Sequence, residues 1–128
     1  MRILVMGHRG MLGSDLMDVL GRDHEVSGVD VGEFDITSAP DCLRVVGEVR
    51  PEVIVNAAAY TAVDAAETDP ETAFAVNRDG PAHLAEICSE KQIPLIQIST
   101  DYVYEGTKKG AYLESDPVSP QGVYAESK

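Results

Sequence analysis

Hydrophobic and polar positions follow two rhythms along this chain, and they alternate. Arg2–Met6 is an almost unbroken apolar run, the pattern of a strand buried on both faces. Leu12, Leu16, Val19 and Leu20 then recur at helical spacing, predicting an amphipathic helix that Gly21 ends. Glu25–Val29 reads as a second strand. Ser38 can cap a helix running to about Val49, with Leu43, Val46 and Val49 facing inward, and Pro51 breaks it. Val53–Val55 is a third strand. Asp69-Pro70 looks like an N-cap followed by proline at the first helical position, opening a long helix to about Glu90. Pro94–Ile98 is a fourth strand. Residues 99–118 form a polar loop, and Ser119-Pro120 opens a last helix.

Strands that alternate with helices, joined by right-handed crossovers, give an α/β fold: a Rossmann-like, doubly wound parallel sheet with helices on both faces. No repeat, linker or internal domain boundary interrupts the 128 residues. The last helix has room for about two turns, and a strand should follow it in a complete doubly wound fold. The expectation is that residues 1–128 are the N-terminal dinucleotide-binding portion of a larger fold, incomplete at the C-terminus, with a substrate-binding portion beyond it.

The strand–helix junction Gly7-His8-Arg9-Gly10-Met11-Leu12-Gly13 reads GxxGxxG. In that position each glycine has a task. Gly7 permits the tight turn off the strand, Gly10 lets the backbone approach a pyrophosphate, and Gly13 lets the helix pack close to the sheet. The helix N-terminus offers unpaired N–H groups and the positive end of its dipole to an anion. Asp30 lies 17 residues after Gly13, at the end of the second strand, where a carboxylate can accept from the hydroxyls of an adenosine ribose. It would repel a 2′-phosphate, whereas Arg9 is placed to reach one, so both NAD(H) and NADP(H) stay open. A plain strand–helix turn is the competing reading.

Tyr124 and Lys128 stand four residues apart and share a helix face. A phenol becomes a useful acid when a neighbouring ammonium favours its ionised form, and it can then give a proton to a carbonyl oxygen as hydride reaches carbon. Lys128 can also hold a nicotinamide ribose. Ser99-Thr100-Asp101-Tyr102 follows the fourth strand, and ligands of open α/β sheets lie beyond the C-terminal strand ends. Asn56-Ala57-Ala58-Ala59 closes the third strand with side chains small enough for a flat cofactor to lie against the backbone. Asn77 falls on the apolar stripe of Ala73, Gly80, Leu84 and Cys88, and is either a buried structural amide or part of a proton relay.

Composition narrows the classes further. The chain is 44% hydrophobic and 25% charged, an ordinary globular balance, and its apolar runs are too short to span a bilayer. Ten basic against 22 acidic residues leave a net charge of -12, which disfavours nucleic acid as a partner. The same surplus also serves solubility or adaptation to salt. The N-terminus has no secretory pattern, and two cysteines 46 positions apart fit a reducing cytoplasm. His8, His24 and His83 show no ligand spacing, so no metal site is expected.

GHRGMLG, VNAAAYTAVDAAE, AFAVN, ISTDYVYEG and YAESK, in this order and spacing, resemble the extended short-chain dehydrogenase/reductase family. The resemblance covers the whole chain, but only the N-terminal part of the family's enzymes. It implies that Tyr124 is the proton donor, Lys128 its helper, and Thr100 the hydroxyl that completes the set, with Asn77 supporting the relay. Thr100 and Asp101 fall where the family contacts the sugar. Gly10, Met11 and Leu12 match the pyrophosphate contact, Asp30 the ribose, and Asp35 and Ile36 a pair near the adenine. Ala59, Tyr60, Thr61 and Ile98 match contacts along the cofactor. The NAAAYTAVD and STDYVYEG blocks carry the narrower likeness, which implies reduction of the C4 ketone of dTDP-4-dehydro-L-rhamnose to dTDP-L-rhamnose. A homodimer is compatible with it. Two departures from the pattern stand out: Ala65 stands where a basic residue is frequent, and Tyr104 and Glu105 stand where Phe and Asp are usual. Other readings are an epimerase or dehydratase acting on another nucleotide sugar, and a non-catalytic regulatory subunit like that of methionine adenosyltransferase.

Overall fold

Strand register organises everything else. In the computed structural model, which describes all residues from Met1 to Lys128, four strands form one parallel sheet in the order β2-β1-β3-β4. They are β1 (Arg2–Met6), β2 (Glu25–Val29), β3 (Val53–Asn56) and β4 (Leu95–Gln97). Met6 lies beside Val29 on one side and Asn56 on the other, and Asn56 lies beside Gln97. Gly7, Asp30, Ala57 and Ile98 therefore follow in a row, one step past the C-terminal edge of the sheet. The strand order reverses direction at β1, the position where open α/β sheets leave a crevice.

The alternation of β1 divides the core. Leu4 and Met6 point into the larger cluster with Ile54, Cys42, Val45, Val46, Leu84, Ile87 and Cys88. Ile3 and Val5 join Val55 on the opposite face, under Leu16, Met17 and Leu20. Helix α1 (Met11–Leu20) thus covers one face, and α2 (Ala39–Val49) and α5 (Gly80–Lys91) cover the other, as expected of a doubly wound sheet.

Several expectations need correction. Leu12 and Val19 are exposed, not part of the inward stripe of α1. The packed face is Gly13, Leu16, Met17 and Leu20, because Gly13 is the residue small enough to touch the turn after β1, and it fixes the helix's rotation. Leu43 is likewise exposed. Helix α2 buries Cys42, Val45 and Val46 and half-buries Val49, a face rotated by one residue, with the small Cys42 at its closest approach to Ile36. Ser38 does cap this helix, accepting from Asp41 N–H.

The predicted long helix is present as a continuous helical run from Pro70 to Lys91, with a π-helical stretch inside it. Two short helices, α3 (Val63–Ala66) and α4 (Pro70–Phe74), precede a π-turn at Ala75–Asp79, which leads into α5. Asp69 caps α4 by accepting from Thr72 N–H. The π-turn has a local cause. Pro81 has no N–H for the carbonyl of Asn77 and its ring crowds that turn, so the ladder widens and Gly80 N–H bonds instead to the Ala75 carbonyl. The last helix, α6 (Val123–Ser127), starts later than Ser119-Pro120. Gly122 precedes it at φ +86, a conformation from which a regular helix cannot extend backwards.

Candidate active site

The turn after β1 is built by close backbone approach. Gly7 sits at φ +80, and a Cβ there would lie 2.7 Å from Ala58 N. A Cβ on Gly13 would lie 2.0 Å from the Gly7 carbonyl oxygen. Both positions are therefore closed to any side chain, and the first turn of α1 is pressed against the strand end. At Gly10 a Cβ would meet only the Gly7 carbonyl, at 3.3 Å. The first hydrogen bond of α1 runs from Ser14 N–H to the Gly10 carbonyl at 2.8 Å. The amides of Met11, Leu12 and Gly13 are left without a backbone partner at the helix end.

Beside this turn lies a cleft of about 530 Å³. Gly7 and Gly10 form one wall, Asp30–Gly32 and Phe34–Ile36 another, and Ala57–Ala59 with Val76 its floor. Asp30 is aimed across the turn: its Oδ2 accepts from Arg9 N–H at 2.8 Å and its Oδ1 from Val31 N–H at 2.7 Å. Of the sequence-predicted cofactor residues, Gly7, Gly10, Asp30, Asp35, Ile36, Ala57, Ala58 and Ala59 line this cleft. Arg9, Met11, Leu12, Gly13, Tyr60, Thr61, Ile98, Tyr124 and Lys128 do not. The cradle fits an elongated, anionic, flat-ended molecule. It offers free amides at a helix end, small residues where a plane can lie, and a carboxylate for hydroxyls.

At the other end of the edge, Lys128 Nζ donates to the Ile98 carbonyl at 2.9 Å. Burial holds its ammonium below the usual lysine range. Tyr124, one turn earlier, packs edge-on against Tyr102, with ring centroids 5.8 Å apart. Thr100 caps the short turn Asp101–Val103, accepting from Tyr102 N–H at 3.2 Å, and its hydroxyl donates to Asp101 Oδ1 at 3.3 Å. Sequence spacing alone could not show that β4 delivers Ile98 to Lys128; the parallel register does.

Asn77 is fully used. Its Oδ1 accepts from Tyr60 N–H at 2.8 Å, and its Nδ2 donates to the Tyr60 carbonyl at 3.0 Å and to Ser127 Oγ at 2.9 Å. One buried amide thereby ties the segment after β3 to α6. Two further residues, not singled out in the sequence, do similar work. Ser127 Oγ donates to the Tyr124 carbonyl at 2.8 Å. Glu67 Oε1 accepts from Val123 N–H at 2.8 Å, holding the start of α6. The signal for Glu67 was within the VNAAAYTAVDAAE block, but a lone glutamate points to no partner 56 positions away.

Comparison with known proteins gives this geometry a family. A profile described as the RmlD substrate binding domain matches residues 1–128. The chain belongs to that family. Over 128 residues it is 44% identical to a dTDP-4-dehydrorhamnose reductase of Streptomyces griseus, covering 99% of this chain and 42% of the relative. The crystal structure of dTDP-4-dehydrorhamnose reductase from Bacillus anthracis, in complex with NADP, superposes with a TM-score of 0.94 at 33% identity, covering 98% of this chain and 46% of that one. A UDP-glucose 4-epimerase of Thermus thermophilus in complex with NAD gives 0.88 at 29% identity, covering 100% and 47%. The chain thus spans less than half the length of these RmlD-family and epimerase relatives.

Proposed function

We propose that this chain is the coenzyme-binding portion of an NAD(P)H-dependent reductase that converts the C4 ketone of dTDP-4-dehydro-L-rhamnose to dTDP-L-rhamnose. The observation that carries the reading is the shared sheet edge: the glycine turn, the Ala57–Ala59 floor and the Lys128 ammonium on Ile98 all follow from one parallel register. Relatives named as reductases of this sugar nucleotide, one of them solved with NADP, supply the substrate and coenzyme class.

In this reading the amides of Met11, Leu12 and Gly13, with Gly10, meet the pyrophosphate. Asp30 accepts from ribose hydroxyls, Asp35 and Ile36 flank the adenine, and Ala57 to Thr61 run along the nicotinamide half. A dihydronicotinamide held there would supply hydride to the ketone carbon. Tyr124 gives the proton to the ketone oxygen, and the Lys128 ammonium, fixed at the Ile98 carbonyl, stabilises the phenolate left behind. Thr100 and Asp101 offer hydrogen bonds to the sugar. Asn77 acts as a positioning residue, since all its bonds go to Tyr60 and Ser127. No helix is long and apolar enough to cross a membrane. We place the enzyme in a reducing cytoplasm, a reading supported by the two free, buried cysteines.

The test is NADH and NADPH oxidation by the intact protein with dTDP-4-dehydrorhamnose. Stoichiometric oxidation, lost in Tyr124→Phe, supports the reductase. Coenzyme binding without turnover of any nucleotide sugar overturns it in favour of a regulatory subunit. The likeness to the Thermus epimerase favours a second reading, which the same assay separates: an epimerase inverts its sugar with no net consumption of coenzyme.

A further inference from the structure

The cleft's rim beyond β2 carries a charge cluster that the proposed chemistry leaves unused. After Asp30 the chain turns back through Gly32 at φ +91, and Glu33 N–H bonds to the Asp30 carbonyl at 2.9 Å. The Glu33 carboxylate folds over the same turn and its Oε2 accepts from Asp30 N–H at 2.9 Å. Two residues of the glycine turn converge on it. His8 Nε2 lies 3.2 Å from Oε2, and Arg9 Nη2 donates to Oε1. His8 reaches this far because Gly28 leaves room: a Cβ on Gly28 would lie 2.5 Å from the His8 side chain. Arg9 is pinned at its other end by its N–H on Asp30. The second cation of this rim, Arg44, is held by Asp41 and Glu48 and touches only the Glu33 carbonyl, at 3.4 Å. No cationic side chain lines the cleft itself.

We propose that Glu33 is a specificity-determining residue for the coenzyme: by holding Arg9 beside Asp30, it denies a 2′-phosphate its natural partner and favours the unphosphorylated adenosine ribose. A 2′-phosphate arriving at Asp30 meets a carboxylate pair and a guanidinium already spent. Recruiting Arg9 would break its bond to Glu33 and leave that carboxylate facing the phosphate. The 2′-hydroxyl of NADH needs neither change and can donate to Asp30. The inference rests on the dinucleotide reading of the cleft.

The experiment is a fluorescence titration of the intact protein with NADH and with NADPH. Wild type is expected to bind NADH more tightly. Glu33→Gln keeps the shape and removes the charge, and should move the affinity ratio about 10-fold toward NADPH, the effect of one charge-assisted contact. Adding Arg9→Gln to that variant should abolish most of the gain. An unchanged ratio in a Glu33→Gln protein that melts normally overturns the proposal, as does a gain that survives the added Arg9→Gln. If wild type binds neither coenzyme, the dinucleotide reading itself falls.

Discussion

The two ends of the sheet edge are held in different ways. The glycine turn is fixed by contact. It leaves β1, the central strand paired on both sides, and Gly7 and Gly13 permit backbone approaches that no side chain tolerates. The Tyr124–Lys128 end is fixed by tethers. Helix α6 has five residues and β4 three, and what places them is a handful of hydrogen bonds: Glu67 to Val123, Asn77 to Ser127, and Lys128 to Ile98. A dinucleotide cradle needs a rigid shape, and close packing provides one. A group that must meet a substrate needs a defined position with less surface buried, and point contacts from neighbouring segments give that.

This contrast can be broken at either end. Tyr124→Phe should cost the most: kcat of the proposed reduction should fall by about 10²- to 10⁴-fold, the usual worth of a positioned acid, while the Kd for coenzyme stays within about 2-fold. Comparable losses in both would mean that the two ends are not separable. Gly13→Ala forces a methyl group onto the Gly7 carbonyl and should destabilise the protein by about 3 kcal/mol, read as a lower denaturation midpoint together with weakened coenzyme binding.

Asn77→Ala leaves the Tyr60 N–H and carbonyl without their side-chain partner and cuts the tie to Ser127, and should cost about 2 kcal/mol. Its signature is a fall in kcat with coenzyme Kd preserved, because the damage lies on the tethered side. Glu67→Ala should lower kcat about 3- to 10-fold with little effect on KM, through looser placement of α6. Glu67→Gln, which keeps an acceptor for Val123 N–H, should restore most of it. A Gln variant as slow as the Ala variant would show that charge, not the tether, matters there.

The smallest effect concerns pH. Burial first, then the carboxylates of Asp41 and Asp35, push the Cys42 thiol up to about 11, and burial raises Cys88 as well. Both thiols should therefore resist labelling at pH 8 in the native protein and react fully after denaturation. Because the folded value of Cys42 lies above its ordinary 9.0, its contribution to stability is complete below pH 9 and is lost as the pH rises toward 11. Fast native labelling would show that the large core cluster under α2 opens readily.

The sheet and the glycine turn were legible in the chain because their signals are local. An apolar run followed at once by GxxGxxG and a helical stripe leaves little freedom. The rotations of α1 and α2 are less legible for a related reason. Periodicity identifies an apolar face, yet Leu12, Val19 and Leu43 satisfy the period and still point outward. What sets the rotation is which residue packs inward, Gly13 against the Gly7 carbonyl in one helix and Cys42 against Ile36 in the other, and those contacts exist only once the strands are in place.

By itself, then, the sequence determined the alternation of elements, the glycine turn between strand and helix, and the four-residue spacing of Tyr124 and Lys128, each encoded within a few residues. Tertiary structure decided which groups meet: Lys128 with Ile98, Asn77 with Tyr60 and Ser127, Glu67 with Val123, and Glu33 with His8 and Arg9. Each of those contacts joins segments far apart in the chain. Only parallel register and the depth of helix packing bring such segments within hydrogen-bonding distance, and neither is written in any single stretch of residues.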